Sequence, residues 1–324
     1  MYEIIKHRVN GLVIDEILVT RGDLTLSLLN YGAAIKQIKF KRTNILMSYN
    51  DVAGYVNDNM YLGKSIGRFA GRIQGGKYQI DGKNYQLALN DGKRTLHGGK
   101  NGIAETTFLY KITEETSKTC IVFSKFIPKD ENGFNSTINL LITYCLHNSG
   151  KLIVRYQYKT SEKTIVNYTN HSYFTLGFEP TINNLLISLN SNYMYEQDDL
   201  VPNGNIIPSC KYTDVTLEQV IKDFKGNLDN TFILNSNYVC TLKNLSKSIK
   251  MDVFTSYPCC VIYGCAYPRD VLLSNGQKMS KYGAITLECQ YAPNEINFKN
   301  TPIKCICLPD KWYSNYIEYR FSMI

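Results

Sequence analysis

The feature that most constrains this chain is a strand–turn–strand pattern that recurs along its length. Short runs of alternating apolar and polar residues are stopped again and again by turn formers. Leu24–Leu29 and Ala34–Phe40 flank Asn30-Tyr31-Gly32. Lys77–Ile80 and residues 84–87 flank Asp81-Gly82-Lys83, and residues 137–146 and 151–158 flank His147-Asn148-Ser149-Gly150. Both of the latter read as hairpins. A period of two puts one face of each strand on a core and the other in solvent. Further strands are expected at 185–189, 231–234, 261–264 and 284–289. The 25 Tyr and 13 Phe suit such pleated, half-buried surfaces. Only residues 214–224, with Leu217, Val220 and Ile221 at helical spacing, predict a helix. No Pro-, Gly- or Ser-rich linker and no internal repeat divides the chain. The pattern predicts an all-β protein, one large antiparallel β-sandwich over residues 1–324.

Charge and cysteine usage narrow the function classes. The formal charge of +8 is spread thinly. The densest basic stretch, 36–42, alternates with apolar residues as a solvated strand face does. With no RNP or helix-turn-helix signature, a nucleic-acid partner is not expected. The chain has ten cysteines, but Cys259 and Cys260 are adjacent, Cys305 and Cys307 are one residue apart, and no Cys-x-x-Cys occurs. Free thiols acting as small hydrophobes are expected. There is no apolar signal region and no run of transmembrane length, so no membrane partner is expected and a reduced, cytoplasmic protein follows. The Asn-x-Ser/Thr triplets at Asn167 and Asn170 are then chance matches, not glycan sites.

Four histidines occur. His7 lies in a charged N-terminal strand and His147 in a polar turn, expected to face solvent. His97, in Thr95-Leu96-His97-Gly98-Gly99, and His171, in Asn170-His171-Ser172-Tyr173-Phe174, stand in unusual company and invite a proton-transfer reading. In Gly67-Arg68-Phe69-Ala70-Gly71-Arg72-Ile73, a strand would put both arginines on one face. Arg72 then has the fork to donate paired hydrogen bonds to ligand oxygens, with a surface ion pair as the alternative. The glycines after His97 lack the P-loop pattern. Glu288, expected at the end of an apolar strand, is a natural general base. No His-x-His, His-Glu-x-x-His or paired-Cys spacing suggests a metal, and no Gly-x-Ser-x-Gly suggests a serine hydrolase.

In order along nearly the whole chain, these segments resemble the aldose 1-epimerases, or galactose mutarotases. The matching series includes Gly67–Ile73, Gly75-Gly76-Lys77-Tyr78, Leu96-His97-Gly98-Gly99, Asn170-His171-Ser172-Tyr173-Phe174, Val201-Pro202-Asn203-Gly204, Leu228-Asp229-Asn230-Thr231-Phe232, Leu287-Glu288-Cys289-Gln290 and Tyr313-Ser314. The resemblance implies a β-sandwich of the galactose mutarotase type and a cofactor-free isomerase. Its substrate would be a monosaccharide, an aldohexose such as galactose or glucose whose α and β anomers it interconverts. It implies Glu288 as base and His171 as acid, with Arg72, His97 and Asp229 binding and orienting sugar hydroxyls. Gly71 stands where the family usually has asparagine, so one sugar contact is expected to be absent. Cys289 replaces a frequent threonine. Facing each other across a pocket, Glu288 is expected ionised and His171 protonated. Two other readings remain, a hexose-6-phosphate 1-epimerase and a non-catalytic sugar-binding module on the same fold. The sequence carries no mark of an oligomeric state.

Overall fold

Alternation builds two facing sheets. In Ile138–His147 and Lys151–Thr160 every second side chain is buried, and the two pair antiparallel from Ile138↔Thr160 to His147↔Lys151. The computed structural model describes residues 2–177 and 179–324. In it this hairpin belongs to a nine-stranded sheet that continues through Trp312–Met323 and Ile249–Thr255. A six-stranded sheet faces it, in the spatial order Tyr173–Phe174, Ile285–Gln290, Cys259–Tyr263, Asp229–Leu234, Ser191–Asp198, Val201–Pro208. All the named strand pairs of these two sheets are antiparallel, so the expected sandwich is the fold.

The core lies between the sheets. Phe232, Cys260 and Cys289 are direct cross-strand neighbours in the six-stranded sheet. They join one apolar cluster with Tyr156, Met251 and Tyr319 of the other sheet, and with Ile17, Leu26 and Ile38 of a five-stranded N-terminal sheet. Truncating a fully buried member such as Leu152 to Ala costs about 2–5 kcal/mol, from lost transfer energy and the cavity left behind. Because Phe232, Cys260 and Cys289 point into this core, their neighbours at 231, 261 and 288 point out of it, and that outward face is where the chemistry sits.

Local signals held with small shifts. Asp81 (φ 49°) and Gly82 (φ 77°) form the hairpin turn between Lys77–Ile80 and Lys83–Gln86. Two positive-φ residues match the right-handed strand twist, so Lys83 enters the strand. The helix is shorter than its periodicity suggests. Val215–Thr216 pairs with Leu186 and Ile187, and the helix Leu217–Asp223 starts behind Thr216, whose hydroxyl accepts the Gln219 N–H at 3.3 Å. His147 is the last strand residue, half-buried between Lys118 and Lys151 in register, rather than a solvent-facing turn residue. The expectation of ten free thiols is corrected at one place: Cys120 and Cys145 are opposite in the ladder, with Cα atoms 4.1 Å apart, and form a disulfide. Cross-strand register, not sequence spacing, brings them together. Of the other eight cysteines only Cys210 is exposed. Among the described residues no helix is long and apolar enough to cross a membrane.

Candidate active site

Two cross-strand rows pave the outward face of the six-stranded sheet. Thr231, Val261 and Glu288 form one row, and Asp229, Tyr263, Thr286 and Tyr173 the next. All but Thr286 line a concavity of about 240 Å³. That is below the ~300–1,000 Å³ of sites for drug-sized ligands, and it suits one small ring. Glu288 lies within the strand Ile285–Gln290, all of whose residues are buried. Sequence reasoning had put it at the strand's end.

The walls come from loops. His171 precedes Tyr173–Phe174, which pairs with Ile285 and Thr286. This brings His171 Nε2 to 3.3 Å from Glu288 Oε1, with both side chains more than nine-tenths buried. Arg72 opens the short strand Arg72–Gln74, which pairs with Arg94–Leu96, so Arg72 and His97 enter the pocket side by side. Arg72 donates to Asp91 at 2.9 Å and to Asp229 at 3.4 Å. The five expected residues, Arg72, His97, His171, Asp229 and Glu288, therefore line one pocket.

The arginine pair does not behave as a strand would make it. Arg68 is buried away from the site, donating to the Pro128 carbonyl and lying over the Phe134 ring. The chain turns at Gly71 (φ 78°) before the strand at Arg72 begins, so the two side chains share no face. Gly71 also explains its own departure from asparagine. A Cβ there would meet Pro293 Cγ at 2.5 Å, and Pro293 lines the same pocket.

Backbone contacts fix His97. Its N–H donates to the Gly71 carbonyl at 3.0 Å, and the Gly71 N–H donates to His97 Nδ1 at 3.1 Å. Gly98 must be glycine, because a Cβ would come within 2.5 Å of backbone atoms of Gly67 and Arg68. A backbone N–H can only donate, so Nδ1 is the acceptor and the proton of neutral His97 sits on Nε2. Burial, then His171 and Arg72, hold its pKa well below the ordinary value. His97 is thus a neutral donor, fit for a ligand oxygen. Ligand atoms of His97, His171 and Glu288 lie within 4.8 Å of one another, a cluster the sequence spacing did not suggest. The donor set nevertheless does not fit a cation, because His97 has no lone pair to offer.

Burial dominates the proton balance. It pushes Glu288 up to about 8, against the lowering influence of Thr286, which donates to Oε1 at 3.2 Å, and of Arg72. It pushes His171 down to about 4, against Asp58 and Asp229. Asp229 rises to about 6, also through burial, against Arg72. The expectation of an ionised Glu288 beside a protonated His171 is opposed in the sugar-free pocket, where burial drives both groups toward their neutral forms. Both directions favour a pair that shares one proton, resting on Glu288 rather than on His171. Sequence reasoning missed Asp91, which shares Arg72 with Asp229. It also missed Tyr61, whose ring meets His97 edge-on with centroids 4.8 Å apart. A turn aspartate and one tyrosine among many carry no distinguishing signal.

Comparison with known proteins gives the family. The family model described as Aldose 1-epimerase matches residues 15–320. The chain belongs to the aldose 1-epimerase family. Galactose mutarotase of Homo sapiens is 27% identical over 319 residues, covering 93% of this chain and 92% of that protein. The bifunctional protein gal10 of Schizosaccharomyces pombe is 31% identical over 266 residues, covering 74% of this chain and 37% of that larger protein. The fold of a galactose 1-epimerase from Lactobacillus acidophilus superposes with a TM-score of 0.90 at 23% identity, covering 100% and 99% of the two chains. An aldose epimerase homologue from C. elegans gives 0.87 at 22%, covering 100% of both.

Proposed function

We propose that this aldose 1-epimerase interconverts the α and β anomers of a monosaccharide, an aldohexose such as galactose or glucose, and that Glu288 and His171 carry its protons. The supporting observation is the buried Glu288–His171 pair, 3.3 Å apart in a small pocket. Anomer exchange needs one acid and one base. Transfer of the shared proton from Glu288 to His171, favoured when sugar hydroxyls donate to the carboxylate, gives carboxylate and imidazolium. The carboxylate removes the proton of the C1 hydroxyl. The imidazolium protonates the ring oxygen as the C1–O5 bond breaks and C1=O forms. Rotation about C1–C2 and the reverse proton transfers close the other face, restoring the pair. Positioned acid–base groups contribute ~10²–10⁴-fold each.

Arg72 and Asp229, already joined, present a donor and an acceptor to vicinal hydroxyls, and His97 adds its Nε2–H. No cofactor enters these steps. A phosphorylated substrate has less support, because Arg72 is engaged by two carboxylates and Arg269 is the one other cationic side chain lining the pocket among the described residues. Polarimetry of freshly dissolved α-galactose tests the reading. Glu288→Gln and His171→Asn should each fall to the uncatalysed rate, and a near-wild-type rate in either folded variant refutes it. Parallel runs on glucose and glucose 6-phosphate separate the two substrate classes. Calorimetric sugar binding without rate enhancement in the wild type would instead identify a binding module.

A further inference from the structure

One wall of the pocket rests on a buried ion pair that neither the fold nor the proposed chemistry explains. Lys64 Nζ lies 3.4 Å from Asp58 Oδ2, and both side chains are fully sealed from solvent. Removing two such charges from water costs several kcal/mol per ion, and apolar replacements of buried pairs are often neutral or stabilising. Stability alone is a poor reason to keep this pair.

Its placement suggests another reason. Asp58 Oδ1 accepts the Tyr49 hydroxyl and the Met60 N–H, both at 2.7 Å, and Oδ2 accepts the Leu62 N–H at 2.8 Å. These bonds close the backbone around Asn59, Met60 and Tyr61, which all line the pocket. Tyr61 is held at φ 59°, a left-handed conformation uncommon for a bulky residue, with its ring 4.8 Å from that of His97 and 6.1 Å from that of His171. The end of the same segment grips His171 through the main chain in both directions. The His171 N–H donates to the Lys64 carbonyl at 2.9 Å, and the Gly63 N–H donates to the His171 carbonyl at 3.0 Å. Tyr173 closes the frame by donating its hydroxyl to the Met60 carbonyl.

We propose that Asp58 is a positioning residue for the reaction: its buried carboxylate, with Lys64 as counter-ion, holds the loop that fixes His171 and Tyr61. The inference rests on the reading of His171 as a proton carrier. Other groups face that imidazole. Glu288 lies in front of it on the sheet floor, the rings of His97, Tyr61 and Tyr173 surround it, and Asp229 and Arg72 line the same pocket. Among the charges that favour its protonated form, Asp58 acts more strongly than Asp229. Burial lowers the pKa of Lys64, and the Asp58 carboxylate beside it raises it.

The double variant Asp58→Asn/Lys64→Met tests this, since it removes both charges at nearly constant volume; the amide keeps only one acceptor, so a buried N–H of the loop loses its partner and Tm should fall modestly. The expected results are a roughly tenfold or larger fall in kcat with KM little changed, and a His171 midpoint about one pH unit lower in an NMR titration of its imidazole. A folded double variant with wild-type kcat and an unmoved His171 midpoint overturns the proposal. Tyr49→Phe removes one bond that holds the Asp58 carboxylate and no charge, so it should lower kcat with KM little changed; a wild-type kcat there counts against the proposal even where the double variant fails to fold. The NMR titration needs no catalysis. A wild-type protein inactive on every sugar would sink the functional reading while leaving the role of Asp58 decided by the midpoints.

Discussion

Glu288→Gln should abolish activity and stabilise the protein at the same time. In the folded state burial holds the Glu288 carboxyl protonated up to about pH 8, whereas its ordinary value is 4.5. Its contribution to wild-type stability is therefore fully present below about pH 4.5 and is lost progressively as pH rises to about 8, because the unfolded chain has already released that proton. At pH 7 the gap from 4.5, at ~1.4 kcal/mol per pH unit, amounts to about 3 kcal/mol. Glutamine is almost isosteric, never ionises, and keeps an acceptor for the Thr286 hydroxyl, so the variant escapes this loss. Unfolding entropy of ~2 cal/mol/K per residue over 324 residues makes ~3 kcal/mol worth a Tm rise of about 4–5 °C. Calorimetric scans of both proteins at pH 5, 6, 7 and 8 measure it. The gain should be small at pH 5 and grow steadily toward pH 8, while polarimetry shows only background rotation. A pH-independent Tm difference, or a variant less stable than wild type at pH 8, would refute the claim that burial keeps this carboxyl protonated.

Other outcomes follow from the same geometry. The pH profile of kcat/KM, corrected for uncatalysed mutarotation, should be bell-shaped with limbs near about 4 and about 8. Below the first His171 gains a second proton for the pair, and above the second the pair has none; a profile flat across pH 8 excludes Glu288 as a participant. Arg72→Ala should raise KM for galactose roughly tenfold or more and push Asp229 further above about 6, since Arg72 is the main group holding it down. Arg72→Lys should restore little of this, because one ammonium does not reproduce a guanidinium spanning Asp91 and Asp229. Gly71→Asn should lower Tm through the clash with Pro293, and Pro293→Gly in the same chain should recover much of the loss, whereas alanine would keep a Cβ at 2.7 Å; equal Tm values for wild type and the Gly71→Asn variant would show that the space is available.

The fold was legible because its determinants are local. Asp81-Gly82 specifies a two-residue turn, and the alternation in Lys151–Thr160 specifies which face is buried. The five site residues were legible only as an ordered series resembling a family, since nothing in Leu287-Glu288-Cys289 says that Val261 and Thr231 stand beside Glu288 in the sheet. What escaped the sequence depends on register and depth. The disulfide needs Cys120 opposite Cys145. The separation of Arg68 from Arg72 needs the turn at Gly71. The proton balance was read differently for a physical reason: attraction between an acid and a base follows from their residue types, whereas desolvation follows from how completely neighbours cover them, and burial is the first cause of both shifts.

His97 shows how far such unseen contacts reach. Two histidines and a glutamate within 4.8 Å would make a plausible metal triad on residue type alone. One backbone N–H decides otherwise. By donating to His97 Nδ1, Gly71 confines the ring's proton to Nε2 and turns a potential metal ligand into a hydrogen-bond donor. The glycine that displaces the family's usual asparagine thus does more than leave room for Pro293: its main chain fixes the tautomer of the neighbouring histidine, and with it the kind of ligand this pocket can hold.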